Sequence, residues 1–353
     1  MKRTKFLIIL LGIPLFLFAQ TNNPDLPARK IAGDLLTRKS YFLYESGKGL
    51  HYAEVFAAAA SLKTAEILND KPLQDSIIAR YRELLDVNSR LISDRSHVDH
   101  NVQAVLPLAI YKLTGDENYR NLGLKYADSQ WAETDSTGLT TQARWWVDDM
   151  YMIGMLQLSA YRATGDHKYL DRASGMLAAY LPKLQQPNGL FLHGPGAPFY
   201  WCRGNGWVAA ILGEILTDLP TTDSNYKLIL CAYQKMMKAL VTYQSENGMW
   251  RQLIDYQYSW AESSGTAMFA FAMTRGIDQG LLKGKKYKTA ANKALVAILA
   301  HVDKAGKIRE VCVGTNKTAD RDFYLERPRV VGDFHGQAPL LWLINERLSY
   351  SKF

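Results

Sequence analysis

Apolar residues recur at helical spacing along most of the chain, in paired segments separated by short polar turns. The stretch from Leu106 to Tyr119 is echoed by the stretch from Leu156 to Tyr169, and Thr-Gly-Asp falls at 114–116 and again at 164–166, a period of 50 residues. In each copy the glycine reads as a left-handed helix stop and the aspartate as the N-cap of the next helix. That next helix carries an apolar stripe, as in Tyr169, Ala173, Met176, Leu177, Tyr180 and Leu181. Weaker copies of the unit follow the same plan. Phe56 to Leu68 leads through Asn69-Asp70-Lys71-Pro72 to a helix ending at Leu85; Trp207 to Leu216 leads through Thr221 to Ser224 to a helix ending at Gln244. Gly265 to Met273 leads through Leu281-Leu282 to a helix ending near His301, and a last helix is predicted over Gln337 to Leu348. Long strand signals are absent.

Repeats of this length build either an open solenoid or a closed ring of helix pairs. About six hairpins, with no polar capping repeat at either end, predict closure. The expected fold is all-α: a six-hairpin α/α toroid, an (α/α)6 barrel, forming a single domain over residues 21–353. The first, more apolar helix of each pair lies inside, so the loops entering the inner helices converge on one mouth.

The first twenty residues stand apart from this pattern. Lys2, Arg3 and Lys5 precede the apolar run Phe6 to Ala19, and the chain turns polar at Gln20-Thr21-Asn22-Asn23. That order is expected of a secretory signal peptide over residues 1–20, cleaved near Ala19 or Gln20, and the run is short for a membrane span. The mature protein is then exported, periplasmic or secreted, with no stable membrane insertion. Loss of three cations and no anion takes the net charge from +8 to +5. The surplus is dispersed apart from Lys283 to Lys288, which argues against nucleic-acid binding and leaves room for an anionic substrate. Three cysteines (Cys202, Cys231, Cys312) are too few for a disulfide framework. The seven histidines do not cluster, so neither a metal nor another cofactor is expected.

Four segments that precede predicted inner helices concentrate the polar and aromatic groups: His97-Val98-Asp99-His100-Asn101, Arg144 to Met155, His193 to Trp207, and Trp260 to Gly265. Each has a plain structural alternative. Asp99, Asn101, Asp148 and Asp149 suit helix caps, and Glu262-Ser263-Ser264 reads best as a cap that favours the positive helix end. An aspartate walled by tryptophan also suits a proton donor with a tuned pKa, which burial raises and the helix terminus lowers. The run Trp201-Cys202-Arg203-Gly204-Asn205-Gly206-Trp207 is more than a helix start needs. Glycines admit close backbone approach to a ligand, arginine offers a planar fork for a carboxylate, and tryptophans offer flat faces for a sugar ring. Together they point to a site for an acidic sugar.

In order along the chain, Trp146-Val147-Asp148-Asp149-Met150, Trp201 to Trp207, Met249 to Asp255 with Glu262 to Met268, and Asp333-Phe334-His335-Gly336 resemble glycoside hydrolase family 105, the unsaturated rhamnogalacturonyl hydrolases, related to the unsaturated glucuronyl hydrolases. The resemblance runs from about Tyr52 to the last helix, and it implies an α/α barrel and an unusual hydrolysis. Such enzymes hydrate the C4=C5 vinyl ether of a uronic acid left by a polysaccharide lyase; the hemiketal then opens and releases the uronate. By motif position the resemblance implies Asp148 as general acid and base and Asp99 as second carboxylate. It further implies substrate binding by His193, Arg203, Trp201 and Trp207, with Asn101, Tyr52, Asp149 and His335 in supporting places. The partner it implies is an anionic unsaturated oligosaccharide of rhamnogalacturonan or pectin-like origin. Family members often carry a histidine about ten residues before the catalytic aspartate, where this chain reads Thr137-Gly138-Leu139-Thr140-Thr141-Gln142, and the loop from His193 to Trp201 is short. Two other functions fit the same residues: an ordinary inverting glycosidase with Asp99 and Asp148 as acid and base, and a helical sugar-binding protein without catalysis.

Overall fold

The computed structural model describes residues 25–43, 47–93 and 95–350; the proposed signal peptide lies outside the described residues. Among them, the helices pair as the repeat predicts. In chain order they are α1 (Asp25–Gly33), α2 (Tyr52–Ile67), α3 (Lys71–Arg80), α4 (Val98–Asn101), α5 (Val105–Thr114), α6 (Glu117–Ser129), α7 (Val147–Thr164) and α8 (His167–Leu184). They continue as α9 (Cys202–Asp218), α10 (Tyr226–Tyr243), α11 (Ser263–Asp278), α12 (Lys285–Ala300), α13 (Arg321–Leu325) and α14 (Phe334–Tyr350). Gly115 and Gly165 end α5 and α7 in the left-handed region, each at φ 72°, and Asp116 and Asp166 cap the helices that follow. No Cβ resists that backbone angle at glycine, so the stop is sharp and the pair folds back tightly.

The inner ring runs α2, α5, α7, α9, α11, α14 and returns to α2, each helix packed on the next. Outside it, α3, α6, α8, α10 and α12 each back the inner helix that precedes them. The last described inner helix takes its outer partner from the other end of the described chain: α1 packs on both α2 and α14. Ala28, Ile31 and Ala32 of α1 are buried there, and the Gln337 amide donates to the Ile31 carbonyl at 3.2 Å. The ring is therefore closed, and the fold is the expected α/α barrel.

Aromatic rings fill the lumen. Phe56, Tyr151, Trp207 and Trp342 pack with centroid separations of 4.8–6.0 Å. At the C-terminal ends of the inner helices a charge ladder links four of them. Glu214 of α9 accepts from Arg162 of α7 and Arg275 of α11, both at 2.7 Å; Arg275 also reaches Glu346 of α14 at 2.8 Å, and Arg162 reaches Asp218 at 2.6 Å. Arg162 and Arg275 sit in last turns, where helix dipoles favour cations. Strands are two residues long. β1 (Trp250–Arg251) pairs antiparallel with β2 (Ala261–Glu262), and β3 (Val311–Cys312) pairs antiparallel with β4 (Arg329–Val330). They brace the loops before α11 and α14. No described helix is long and apolar enough to cross a membrane.

Candidate active site

The N-termini of the inner helices supply the chemistry. Tyr52 opens α2, Asp99 lies in α4, Asp148 and Asp149 lie in the first turn of α7, Arg203 in that of α9, and His335 in that of α14. Converging helix N-termini present free N–H groups and positive dipole ends at the mouth, which favours an anion.

The neighbouring aspartates of α7 differ in surroundings. Asp149 is fully buried and saturated: it accepts from the Arg144 N–H at 2.7 Å, the Arg144 Nε at 2.9 Å, the Trp146 N–H at 3.1 Å and the Tyr180 hydroxyl at 2.9 Å. This carboxylate closes a capping box and anchors the loop. Trp145 makes the bend possible by taking φ 59°, a left-handed angle costing about 1–2 kcal/mol for a residue with a Cβ. A stack on Tyr180 at 4.5 Å and the Lys183 ammonium 3.6 Å from the ring hold it there.

Asp148 faces the other way. Its Oδ2 lies 3.4 Å from His193 Nε2, a charge contact, and neither atom has a hydrogen bond to any described residue. Burial pushes the Asp148 carboxyl up, but His193, with Arg144 and Arg203, outweighs burial and holds it below the usual aspartate value. His193 is itself fully buried, with Nδ1 2.6 Å from the Tyr324 hydroxyl.

Asp99 is joined to α7 through a cation. Arg144 donates to both Asp99 oxygens, at 2.9 and 3.1 Å, while its Nη2 reaches Asp149 at 2.7 Å. Both carboxylates hold the Arg144 guanidinium well above its ordinary value despite burial. The expected direct Asp99–Asp148 pair is thus a clasp in which Arg144 neutralises Asp99, and Asp99 does not figure among the charges that move Asp148 most.

Tyr52 belongs to the same centre. Burial raises its phenol strongly, Asp99 and Asp148 add to the rise, and Arg203 opposes it. Its hydroxyl meets His335 Nε2 at 3.0 Å, and His335 Nδ1 meets Asp333 at 2.7 Å. Burial raises Asp333, but His335 and Arg203 outweigh it and leave this carboxylate strongly acidic. Asn101 is buried and turned to other partners: its amide donates to Ser129 at 3.5 Å and Gln142 at 3.3 Å.

The Trp201-to-Trp207 run reads differently in three dimensions. Arg203 is wholly buried; it donates to the Cys312 carbonyl at 2.5 Å and the Val313 carbonyl at 2.7 Å and stacks on Trp201 at 4.6 Å. The expected fork for a substrate carboxylate is occupied by main chain, so Arg203 acts on the site through its charge. Trp201 and Trp207 are 1 % exposed, packed in the loop core and the lumen, and present no open face. The glycines serve helix packing: a Cβ on Gly204 would stand 2.6 Å from Val147 of α7, and one on Gly206 2.5 Å from Met268 of α11. Asn205 bonds both polar groups of Phe191, at 2.8 and 2.9 Å. Glu262 caps α11 by accepting from the Ser264 and Gly265 N–H groups, at 3.0 and 2.7 Å.

Four site residues lie outside the expected set: Arg144, Trp146, Tyr324 and Asp333. Trp146 is the partly open aromatic at the mouth, with Arg144 4.8 Å and Lys317 5.5 Å from its ring. Its place in the motif beside Asp148 was a signal for it; Tyr324, 131 residues from His193, gave none. Cys202, Cys231 and Cys312 are free thiols, and no described group of three His, Cys, Asp or Glu side chains could hold a metal.

Comparison with known proteins adds the lineage. The family model of Glycosyl Hydrolase Family 88 matches residues 28–351. The chain is 25 % identical over 241 residues to unsaturated rhamnogalacturonyl hydrolase YesR of Bacillus subtilis (strain 168), covering 63 % of this chain and 68 % of that protein. It is 29 % identical over 183 residues to an unsaturated 3S-rhamnoglycuronyl hydrolase of Alteromonas sp. (strain LOR), covering 48 % of this chain and 44 % of that one. A possible member of the GH105 family from Salmonella enterica superposes with a TM-score of 0.84 at 18 % identity, covering 99 % of this chain and 100 % of that one. The unsaturated glucuronyl hydrolase from Bacillus sp. GL1 superposes at 0.64 with 18 % identity, covering 93 % and 96 %.

Proposed function

The chain belongs to Glycosyl Hydrolase Family 88, and from that membership we propose that it removes a 4,5-unsaturated uronic acid from the non-reducing end of oligosaccharides made by a polysaccharide lyase. Rhamnogalacturonan or related pectin-like polymers are the source we favour. The observation that carries this reading is the contrast within the α7 pair: Asp149 is saturated by four donors, whereas an Asp148 oxygen looks only at His193.

In the proposed cycle Asp148 gives its proton to C4 of the double bond, and the cation that develops is shared between C5 and the ring oxygen. Water adds at C5 and returns a proton to Asp148. The hemiketal so formed opens at the bond between C5 and the ring oxygen, leaving a ketone at C5 and a hemiacetal at C1, and collapse of that hemiacetal to the aldehyde breaks the glycosidic bond and frees the keto uronate. A carboxylate held low must first gain a proton. The anionic substrate supplies the push, because a negative charge brought close raises the Asp148 carboxyl. Asp99 has both oxygens engaged by Arg144, which suits fixing the mouth better than activating a water and weighs against an ordinary inverting pair. Lys317 beside Trp146 and the helix N-termini draw the uronate in. The N-terminal charged and apolar segment fits export to the periplasm or beyond.

The test is to incubate the mature protein with lyase-generated unsaturated disaccharides and follow the ultraviolet band of the conjugated double bond. The band should decay, and mass spectrometry should find the released keto uronate. Persistence of the band on galacturonyl and glucuronyl substrates alike, with folded protein, would overturn the proposal.

A further inference from the structure

Each nitrogen of the buried His193 ring meets one partner: the Tyr324 hydroxyl at 2.6 Å from Nδ1, and Asp148 Oδ2 at 3.4 Å from Nε2. The main chain of His193 is tied on both sides, its N–H donating to Phe199 O at 3.0 Å and its carbonyl accepting from Val147 N–H at 2.9 Å. Trp201 and Trp146 close on the ring at 4.7 and 5.8 Å. So held, the imidazole cannot swap its two edges, and the phenol decides which nitrogen carries the proton.

Tyr324 lies on α13, in the segment between β3 and β4 that Arg203 pins at Cys312 and Val313. Its oxygen accepts the Thr318 N–H at 3.3 Å. The hydroxyl proton has two acceptors in reach, Nδ1 at 2.6 Å and the Thr318 carbonyl at 3.5 Å, and the shorter contact is the better hydrogen bond. With Nδ1 accepting, a neutral imidazole carries its proton on Nε2. That N–H then lies beside Asp148 Oδ2, with 3.4 Å between nitrogen and oxygen, an electrostatic contact in which neither atom has a hydrogen bond to a described residue.

We propose that Tyr324 is a positioning residue: it fixes His193 as the Nε2–H tautomer, and through that N–H it steadies the ionised form of Asp148 and aims the carboxylate at the mouth. Burial and the charge of Asp148, only partly offset by Thr318, push the phenol up to about 12, so it keeps its proton near neutral pH. The other charged and titratable groups about the pair are Arg144, Arg203, Tyr52 and Asp99, with Lys317 beside Trp146. The tautomer assignment stands on geometry alone; only its kinetic consequence rests on Asp148 being the proton donor. In that cycle an N–H that stays on His193 stabilises the carboxylate each time the proton leaves for C4.

The test is long-range proton–nitrogen NMR on the full mature chain labelled at histidine nitrogens, with His193 assigned by loss of its signals in His193→Asn. Nε2 should be protonated and Nδ1 bare, and a protonated Nδ1 would overturn the proposal. Tyr324→Phe keeps the ring and removes the donor. It should scramble the tautomer pattern, raise the pH limb of kcat/KM that reports Asp148 by about one unit, and lower kcat about 10-fold with little change in KM. A folded Tyr324→Phe enzyme with the wild-type nitrogen pattern and pH profile would equally overturn it. If no unsaturated uronide is turned over, the catalytic reading fails, while the ring signals still decide the tautomer.

Discussion

Arg144 grips Asp99 through two parallel hydrogen bonds, Nη1 to Oδ2 at 2.9 Å and Nη2 to Oδ1 at 3.1 Å. The same guanidinium reaches Asp149 of α7, so one cation ties α4 to α7 at the mouth. Lysine keeps the charge and loses the planar fork. Arg144→Lys should lower the thermal midpoint and reduce kcat/KM by about 10-fold or more, on the scale by which misplaced catalytic groups slow enzymes. Differential scanning fluorimetry and the ultraviolet assay measure the two effects, and a variant matching wild type in both would show the fork to be dispensable.

Asp148 and Asp149 should part company under the same substitution. Asp148→Asn should lose at least about 100-fold in turnover, the lower range for removing a general acid, while keeping its helical circular dichroism and melting point. Asp149→Asn should instead lose about 3 kcal/mol of stability, because it breaks a buried pair and leaves Arg144 short of a partner. Chemical denaturation of both variants separates the cases; an inactive, fully stable Asp149→Asn would reverse the assignment.

The charge ladder below the lumen gives a pH prediction. Burial raises Glu214, but Arg275 and Arg162 outweigh it and hold the folded carboxyl below its unfolded value. The stabilisation is therefore complete above the unfolded value near about 4.3 and shrinks as pH falls through the folded one. Glu214→Gln should cost about 3 kcal/mol at neutral pH, with the deficit narrowing on acidification and catalysis per folded molecule unchanged. A deficit that is flat with pH would contradict the ion-pair account.

Gly265 offers a test of close packing. A Cβ there would stand 2.8 Å from the Cys202 carbonyl carbon and oxygen, rigid main-chain atoms of α9 that cannot yield cheaply. Gly265→Ala should destabilise the fold by about 1–3 kcal/mol, whereas Gly175→Ala, with open space around it, should be neutral or mildly stabilising. Equal melting curves for the two variants would count against tight α9–α11 contact.

The hairpins were legible because their signals are local: an apolar stripe, a Thr-Gly-Asp stop and cap, and a repeat of both. Convergence of the loops at one mouth followed from the ring. Two kinds of fact were out of reach. Pairing of α1 with α14 joins segments with some three hundred residues between them, and Asp25–Gly33 is too short and polar to announce itself. The second kind is purpose within a motif. Arginine, glycine and tryptophan between Trp201 and Trp207 suit a sugar site in composition, yet Arg203 is spent on two carbonyls and Gly206 on Met268. Residue type alone does not say whether a hydrogen-bonding fork is turned to solvent or to its own backbone. Arg144 and Tyr324 escaped for a related reason: their importance lies in partners 45 and 131 positions away.

Both ends of the described chain are used to shut the ring, and this orders events during synthesis. Until the 17-residue α14 is in place, α1 has only α2 to pack on and the aromatic lumen stays open on one side. The lumen core is thus completed as one unit when α14 docks between α2 and α11, and not hairpin by hairpin.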